Sequence, residues 1–306
     1  MTTSRLNWIL FLALGFMWGS SYLFIKLAVD DFGTFTLVAI RLAIGAAFLW
    51  IVIRAAGQEL PRERRIYGHL VVMAVVNIVI PFALITWAEQ SVDSSIAAIL
   101  TAAVPLWAIV IAPLFLHDEP IRLNGVIGLM VGFLGVVVLT SRGLQSGRGS
   151  DIAGEIALLG ASLSYAVGAV YSRRHMRGVR PMIPAVFQVT FAMLIAGTIA
   201  LFLEQPWEAR PDLEAVFSMV WLGIVGSGAA YLVNFRLLEA WGATRTTLVA
   251  YLLPIVGIVL GYLVLQEQVD ARLLLGTALV IGGVGLVNSR WGRRRLFGRA
   301  VPVEGA

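Results

Sequence analysis

Trp18, Ser21, Tyr22, Ile25 and Lys26 recur at i, i+3, i+4, i+7 and i+8 inside the stretch FMWGSSYLFIK. On a helix of 3.6 residues per turn they share one face. That stripe carries an indole, a hydroxyl, a phenol and an ammonium group within an otherwise apolar run, so it must face something other than hydrocarbon. Similar residues punctuate later apolar stretches: Asn77, Thr101 and Trp107, Ser164 and Tyr165, Tyr231 and Asn234, and Tyr251. Amides and hydroxyls of this kind can hydrogen-bond a polar solute, and the rings can wall its apolar part. Each also has a plainer reading. Ser, Thr and Asn bridge neighbouring membrane helices, and Trp and Tyr anchor span ends. Pro81, Pro105 and Pro254 can bend or unwind helices and free backbone groups, which makes them hinge or gating candidates.

Other chemistries find no support. The chain has no cysteine, and its three histidines, His69, His117 and His175, lie near span ends without an HExxH pattern. No pair of carboxylates falls in mid-span, so neither an enzyme centre nor a metal or cofactor site is expected. A net charge of +5 and a pI near 10.0 could suggest nucleic acid. The arginines instead cluster between apolar spans, with no aromatic-flanked basic groove, so no nucleic-acid partner is expected.

The elements that must position these residues are membrane helices. Hydrophobic residues make up 59% of the 306 positions and charged residues 13%, against about 25% charged in a soluble domain. Ten segments are long and apolar enough to span a bilayer: 7–29, 34–54, 66–87, 94–116, 121–140, 152–172, 182–203, 214–236, 244–266 and 271–289. Basic residues concentrate in the segments that lie inside when the N-terminus is cytoplasmic, above all around Arg62, Arg64 and Arg65, Arg173 to Arg180, and Arg290 to Arg299. Both termini are therefore expected in the cytoplasm. Lys26 and Arg41 fall toward the outer ends of their spans, with Asp30 and Asp31 in the connecting loop. Snorkelling to the outer surface is the expected role for both, with substrate-carboxylate binding as the alternative.

The two halves resemble each other. ILTAAVPLWAIVIAPLFL aligns with LVAYLLPIVGIVLGYLVL and brings Pro105 onto Pro254, while Trp18 falls on Tyr165, Lys26 on Arg173 and Arg41 on Gln188. Each unit holds five helices, an odd number, so the second copy enters the membrane from the opposite side. The expected fold is all-α and integral to the membrane, ten transmembrane helices as two inverted five-helix repeats. Residues 1–145 and 146–290 form the repeats, and 291–306 a basic cytoplasmic tail. Small residues at helix-packing spacing, Gly15 and Gly19, Gly128 and Gly132, and Gly160, Ser164 and Gly168, fit close crossings.

WGSSYLFIKLA, the proline-containing fourth and ninth spans, the acidic turns LHDEP and LQEQV, and the Gly-rich fifth and tenth spans resemble the EamA family of the drug/metabolite transporter superfamily. Within it the chain looks like the YddG-type bacterial amino-acid exporters. The resemblance implies a central substrate cavity and a bacterial inner membrane. The expected function is export of amino acids and related small metabolites by alternating access, by a monomer in the lipid bilayer; export of hydrophobic drugs or other small metabolites is the alternative. Every Asp and Glu maps to a loop or a span end. Transport down the substrate's own gradient is therefore expected, and Glu155, about a turn into its span, is the carboxylate that could overturn this.

Overall fold

The computed structural model describes residues 3–57, 64–115, 121–146, 149–176, 179, 182–241, 246–289 and 295–297. Among them nine helices are long and apolar enough to cross a bilayer: α1 (Arg5–Ala28), α2 (Thr34–Ala55), α3 (Arg64–Ala88), α4 (Ser94–Phe115), α5 (Leu123–Ser141), α6 (Asp151–His175), α7 (Met182–Leu203), α8 (Leu213–Asn234) and α9 (Leu248–Leu265). A shorter apolar helix, α10 (Ala271–Val287), completes the set. Two sets of five make the chain an integral membrane protein with a repeated, inverted architecture. The one strand pairing among the described residues is a two-stranded antiparallel ladder, β1 (Ile121–Arg122) with β2 (Arg295–Phe297). It draws part of the C-terminal tail onto the turn before α5; the rest of the tail lies outside the described residues.

Leu14, Leu37, Leu42, Leu100 and Leu158 are fully enclosed between helices, while Phe202, Leu213 and Leu114 stand 82%, 84% and 73% exposed. Large apolar side chains in that position face lipid, since water would leave them unfavourably hydrated. Glycine permits the tightest crossing. A Cβ on Gly128 would lie 2.5 Å from the Gly283 carbonyl oxygen, and one on Gly135 would lie 2.8 Å from that of Gly276, so the backbones of α5 and α10 touch. Gly15 and Gly19 receive Leu252 and Val256 of α9, and Gly168 receives Asn77 of α3.

Four helices are irregular, in two matched pairs. α3 widens to a π-helix over Val75–Val79, just before Pro81 at the first turn of its continuation. α8 does the same over Leu222–Ala229, beginning 147 positions later. The second pair breaks ahead of proline: α4 is interrupted at Ala102 and Ala103 before Pro105, and α9 opens as a 3-10 turn, Thr247–Tyr251, before Pro254. Proline cannot donate to the preceding turn, which accounts for both breaks. π-turns inside helices concentrate at functional sites.

Acidic side chains tie turns to helix N-termini, where amide groups lack intrahelical partners. Glu204, just past α7, accepts from the Phe35 and Thr36 amides at 2.9 and 2.7 Å and from the Thr36 hydroxyl at 2.9 Å. Glu267, just past α9, accepts from the Ser94 amide and hydroxyl at 2.7 and 2.8 Å and from the Ser95 amide at 3.1 Å. Each contact joins the second repeat to the first. Both carboxylates adjoin left-handed residues, Gln205 at φ 47° and Gln266 at φ 56°.

Candidate functional site

Each π-turn meets the other repeat. In α8 the widened turn presents Ser227, whose hydroxyl accepts from Nε and Nη2 of Arg41 on α2, both at 3.4 Å. The neighbouring Gly226 abuts the Ser21 hydroxyl of α1. In α3 the widened turn presents Asn77, which donates to Gln188 of α7 at 3.4 Å, and the Val76 carbonyl, which accepts from Ser164 of α6 at 2.6 Å. Arg41 and Gln188 are the positions that fall on one another in the repeat alignment. The duplicated framework thus carries a cation in one half and an amide in the other.

Arg41 is the residue whose expected placement the structure corrects most. It does not reach the outer surface. It is 3% exposed, about 10 Å along α2 from its N-terminal end at 1.5 Å per residue. Its guanidinium lies over the Phe82 ring, 4.2 Å from the centroid. Tyr165, Tyr231, Tyr22 and Glu89 are near enough to interact with its charge. Five N–H groups thus meet one ring face and two long bonds to a single hydroxyl. A buried charge is costly to leave with partners this weak. Geometry of this kind suits a planar carboxylate that would take two parallel hydrogen bonds.

Lys26 also differs from expectation. It makes no bond to the Asp30–Asp31 loop; its ammonium donates to the Glu89 and Val92 carbonyls at 2.6 and 3.1 Å, at the C-terminal end of α3. A cation suits the negative end of a helix dipole. Lys26 also lines a cavity of about 440 Å³ with Asp93, Leu265, Gln266, Glu267 and Gln268. That cavity is a mouth above the polar centre, not the centre itself.

The expected site residues divide. Tyr22, Tyr165 and Tyr231 lie within electrostatic reach of Arg41, and Trp18 meets Tyr231 edge-on at 6.4 Å. The Thr101 hydroxyl donates to the Ala97 carbonyl at 2.6 Å, which leaves Tyr22 as the donor in their mutual bond. Ser21 returns its proton to the Met17 carbonyl of its own helix. Asn77 and Ser164 belong to the matching π-turn contact, and Asn234 is half-buried near the end of α8. Two residues lie apart from this group. Trp107 donates to Ser162 at 2.9 Å and packs edge-on against Phe133 of α5, and Tyr251 packs with Ala103, Leu106 and Val284 between α4 and α10.

Reading positions along the chain missed Phe82, Gln188 and Ser227, each a common residue in a common place, and it missed Glu89. Glu89 sits at the end of a span as expected, yet it is fully buried, and neither carboxylate oxygen has a hydrogen-bond partner. Glu155 is buried too, 2% exposed. Span-end position therefore did not mean solvation. Among the described residues no cluster of His, Asp or Glu is arranged to hold a metal ion.

The sequence profile of the EamA-like transporter family matches the chain twice, over residues 6–141 and 152–289. The chain is similar to the uncharacterized transporter YoaV of Bacillus subtilis, 22% identical over 284 residues, covering 92% of this chain and 96% of that one. It is also similar to the uncharacterized inner membrane transporter YedA of Escherichia coli K12, 28% identical with 90% and 88% covered. Protein PagO of Salmonella typhimurium is 24% identical, with 90% of each chain covered. A solved crystal structure shares the fold at a TM-score of 0.67 and 20% identity, covering 95% of this chain and 99% of its own. The chain belongs to the EamA-like transporter family and is a multi-pass membrane protein.

Proposed function

We propose that the protein exports small carboxylate-bearing metabolites, amino acids foremost, from the cytoplasm across a bacterial inner membrane by alternating access around Arg41. It acts as a monomer with both termini in the cytoplasm, and it is a transporter, not an enzyme. One observation carries the reading: a buried guanidinium that lies over the Phe82 ring, with two long hydrogen bonds to Ser227 and with Tyr22, Tyr165 and Tyr231 within electrostatic reach. A substrate carboxylate would supply the strong partner this cation lacks. The tyrosines would wall the side chain and hydrogen-bond its polar end. Paired π-turns and proline breaks in α3, α8, α4 and α9 are sites where the two repeats could change register, and their inverted placement lets one unit adopt two conformations and exchange them.

A lipophilic cation is disfavoured at this site, since Arg41 would repel it in a medium of low dielectric. The test is counterflow in liposomes holding the purified protein. They are preloaded with unlabelled amino acids and offered a radiolabelled mixture of the proteinogenic amino acids, with tetraphenylphosphonium in a parallel arm. Amino-acid counterflow that Arg41→Gln abolishes supports the reading. Counterflow of tetraphenylphosphonium alone transfers the assignment to hydrophobic drugs.

A further inference from the structure

Glu89 lies within electrostatic reach of Arg41, and its surroundings are unusual. It caps the C-terminal end of α3, in the short turn to α4, with no measurable exposure and two unpartnered oxygens. Its backbone carbonyl is held by Lys26, so the residue is fixed in place while its carboxyl group is left without a hydrogen bond. The charged and titratable groups around it come from every packed element. Lys26 and Tyr22 lie on α1, Arg41 on α2 and Glu267 after α9. On α6, Glu155 follows Gly154, which abuts Val92, Ser91 and the Ala88 carbonyl. Lys26, which bonds the Glu89 carbonyl, also lines the cavity of about 440 Å³, so one side chain touches both the cavity and the residue that carries the buried carboxyl.

We propose that Glu89 is a proton-exchanging carboxylate that couples outward movement of substrate to inward movement of one proton. The inference rests on the reading of Arg41 as the substrate-carboxylate partner. Arg41 and Glu89 sense each other's charge, and Tyr22 senses both. A zwitterion can therefore direct its carboxylate to Arg41 and its ammonium toward Glu89. The proton and the ammonium compete for the same oxygens. In the outward-open state substrate leaves and a proton from the outer water adds to a Glu89 oxygen, forming one O–H bond. In the inward-open state that bond breaks, the proton passes to cytoplasmic water, and the next substrate binds the regenerated carboxylate. Burial raises the affinity of the Glu89 carboxyl for its proton well above the ordinary carboxylate range, with Lys26 and Arg41 opposing and Glu267 adding to it. The group is thus able to exchange a proton nearer to neutral pH than a solvated glutamate does. The proposal departs from the expectation of purely downhill flux, which rested on every Asp and Glu mapping to a loop or a span end.

Two measurements on the full-length protein decide it. Infrared difference spectra of purified protein between acid and alkaline buffers should show a protonated-carboxyl C=O band that is lost in Glu89→Gln, with no substrate present. In liposomes, an imposed gradient with the lumen acid should drive the radiolabelled amino-acid mixture to accumulate inside against its concentration gradient, as protons leave in exchange, in wild type and not in Glu89→Gln. Glu89→Gln loses the ammonium partner as well as the proton site, so its counterflow should need more substrate than wild type does. Both liposome assays are therefore run at saturating substrate, and unchanged helical circular dichroism and elution in detergent show that the variant is folded. Accumulation retained in Glu89→Gln, or a carboxyl band unchanged by the substitution, overturns the proposal. Absence of amino-acid counterflow in wild type overturns the substrate reading instead, and the infrared arm then judges Glu89 by itself.

Discussion

A buried charge can serve stability or ligand binding, and Arg41 separates the two by sign. If it were structural, neutralising it would weaken the fold. With one hydroxyl at 3.4 Å and a ring face for company, it costs desolvation that its partners barely offset, so Arg41→Met should melt in detergent no lower than wild type while losing transport. Arg41→Lys keeps the charge and loses the planar fork. A charge-assisted hydrogen bond contributes about 1.5 to 3 kcal/mol, so its apparent affinity should fall by roughly tenfold to a hundredfold. Glu89 makes the complementary prediction. Its folded-state proton affinity is raised, so the folded protein binds this proton more tightly than the unfolded chain does. Stability from this group is present at acid pH and is lost as pH rises through the folded titration range. Wild type should therefore melt lower as the pH climbs from the ordinary carboxylate range to above neutral. Glu89→Gln should lack that component, and a Glu89→Gln profile as steep as wild type would show that another group titrates.

At the scale of elements, two glutamates tie the second repeat to helix N-termini of the first. Glu204 satisfies the first turn of α2 and Glu267 that of α4, and loss of a helix cap costs about 0.5 to 2 kcal/mol. Glu204→Ala should lower the melting temperature without changing accessibility at the mouth. Glu267 also lines the outer cavity, so Glu267→Ala should loosen the turn over it. The chain lacks cysteine, so Cys introduced at Ser95, buried and bonded through its amide to Glu267, should react with an impermeant maleimide faster in the Glu267→Ala background. Equal rates would mean that the seam is held elsewhere. The helices that carry these caps were readable because about twenty apolar residues suffice to define a span, and the proline breaks were readable because proline removes a donor wherever it falls. The π-turns were not, since one extra residue per turn leaves hydropathy unchanged and no residue type demands it. Arg41 and Glu89 were misplaced for a related reason. Depth along a span can be counted from sequence, but enclosure depends on which helices of the other repeat stand alongside, and Ser227 and Glu267 lie far away in the chain.

The whole molecule is an inverted pair with unequal contents: the same framework holds Arg41 against Ser227 in one half and Gln188 against Asn77 in the other. Function therefore depends on which half faces which side, because Lys26, Glu89 and the cavity above them must open to the outside for substrate to leave there. The proposed orientation rests on charge: the tail and the helix ends and turns between α2 and α3 and between α6 and α7 hold most of the arginines, and basic segments tend to stay cytoplasmic. The β1–β2 ladder independently requires the tail and the turn between α4 and α5 to share a side. Four exposed positions test the assignment on intact cells. Single cysteines at Ser91 and Glu208 should be labelled by an impermeant maleimide applied outside, and those at Ala56 and Arg174 only after lysis. The reverse pattern would place Glu89 and its cavity at the cytoplasmic face. The proton step would then run with import, and the export assignment would have to be given up.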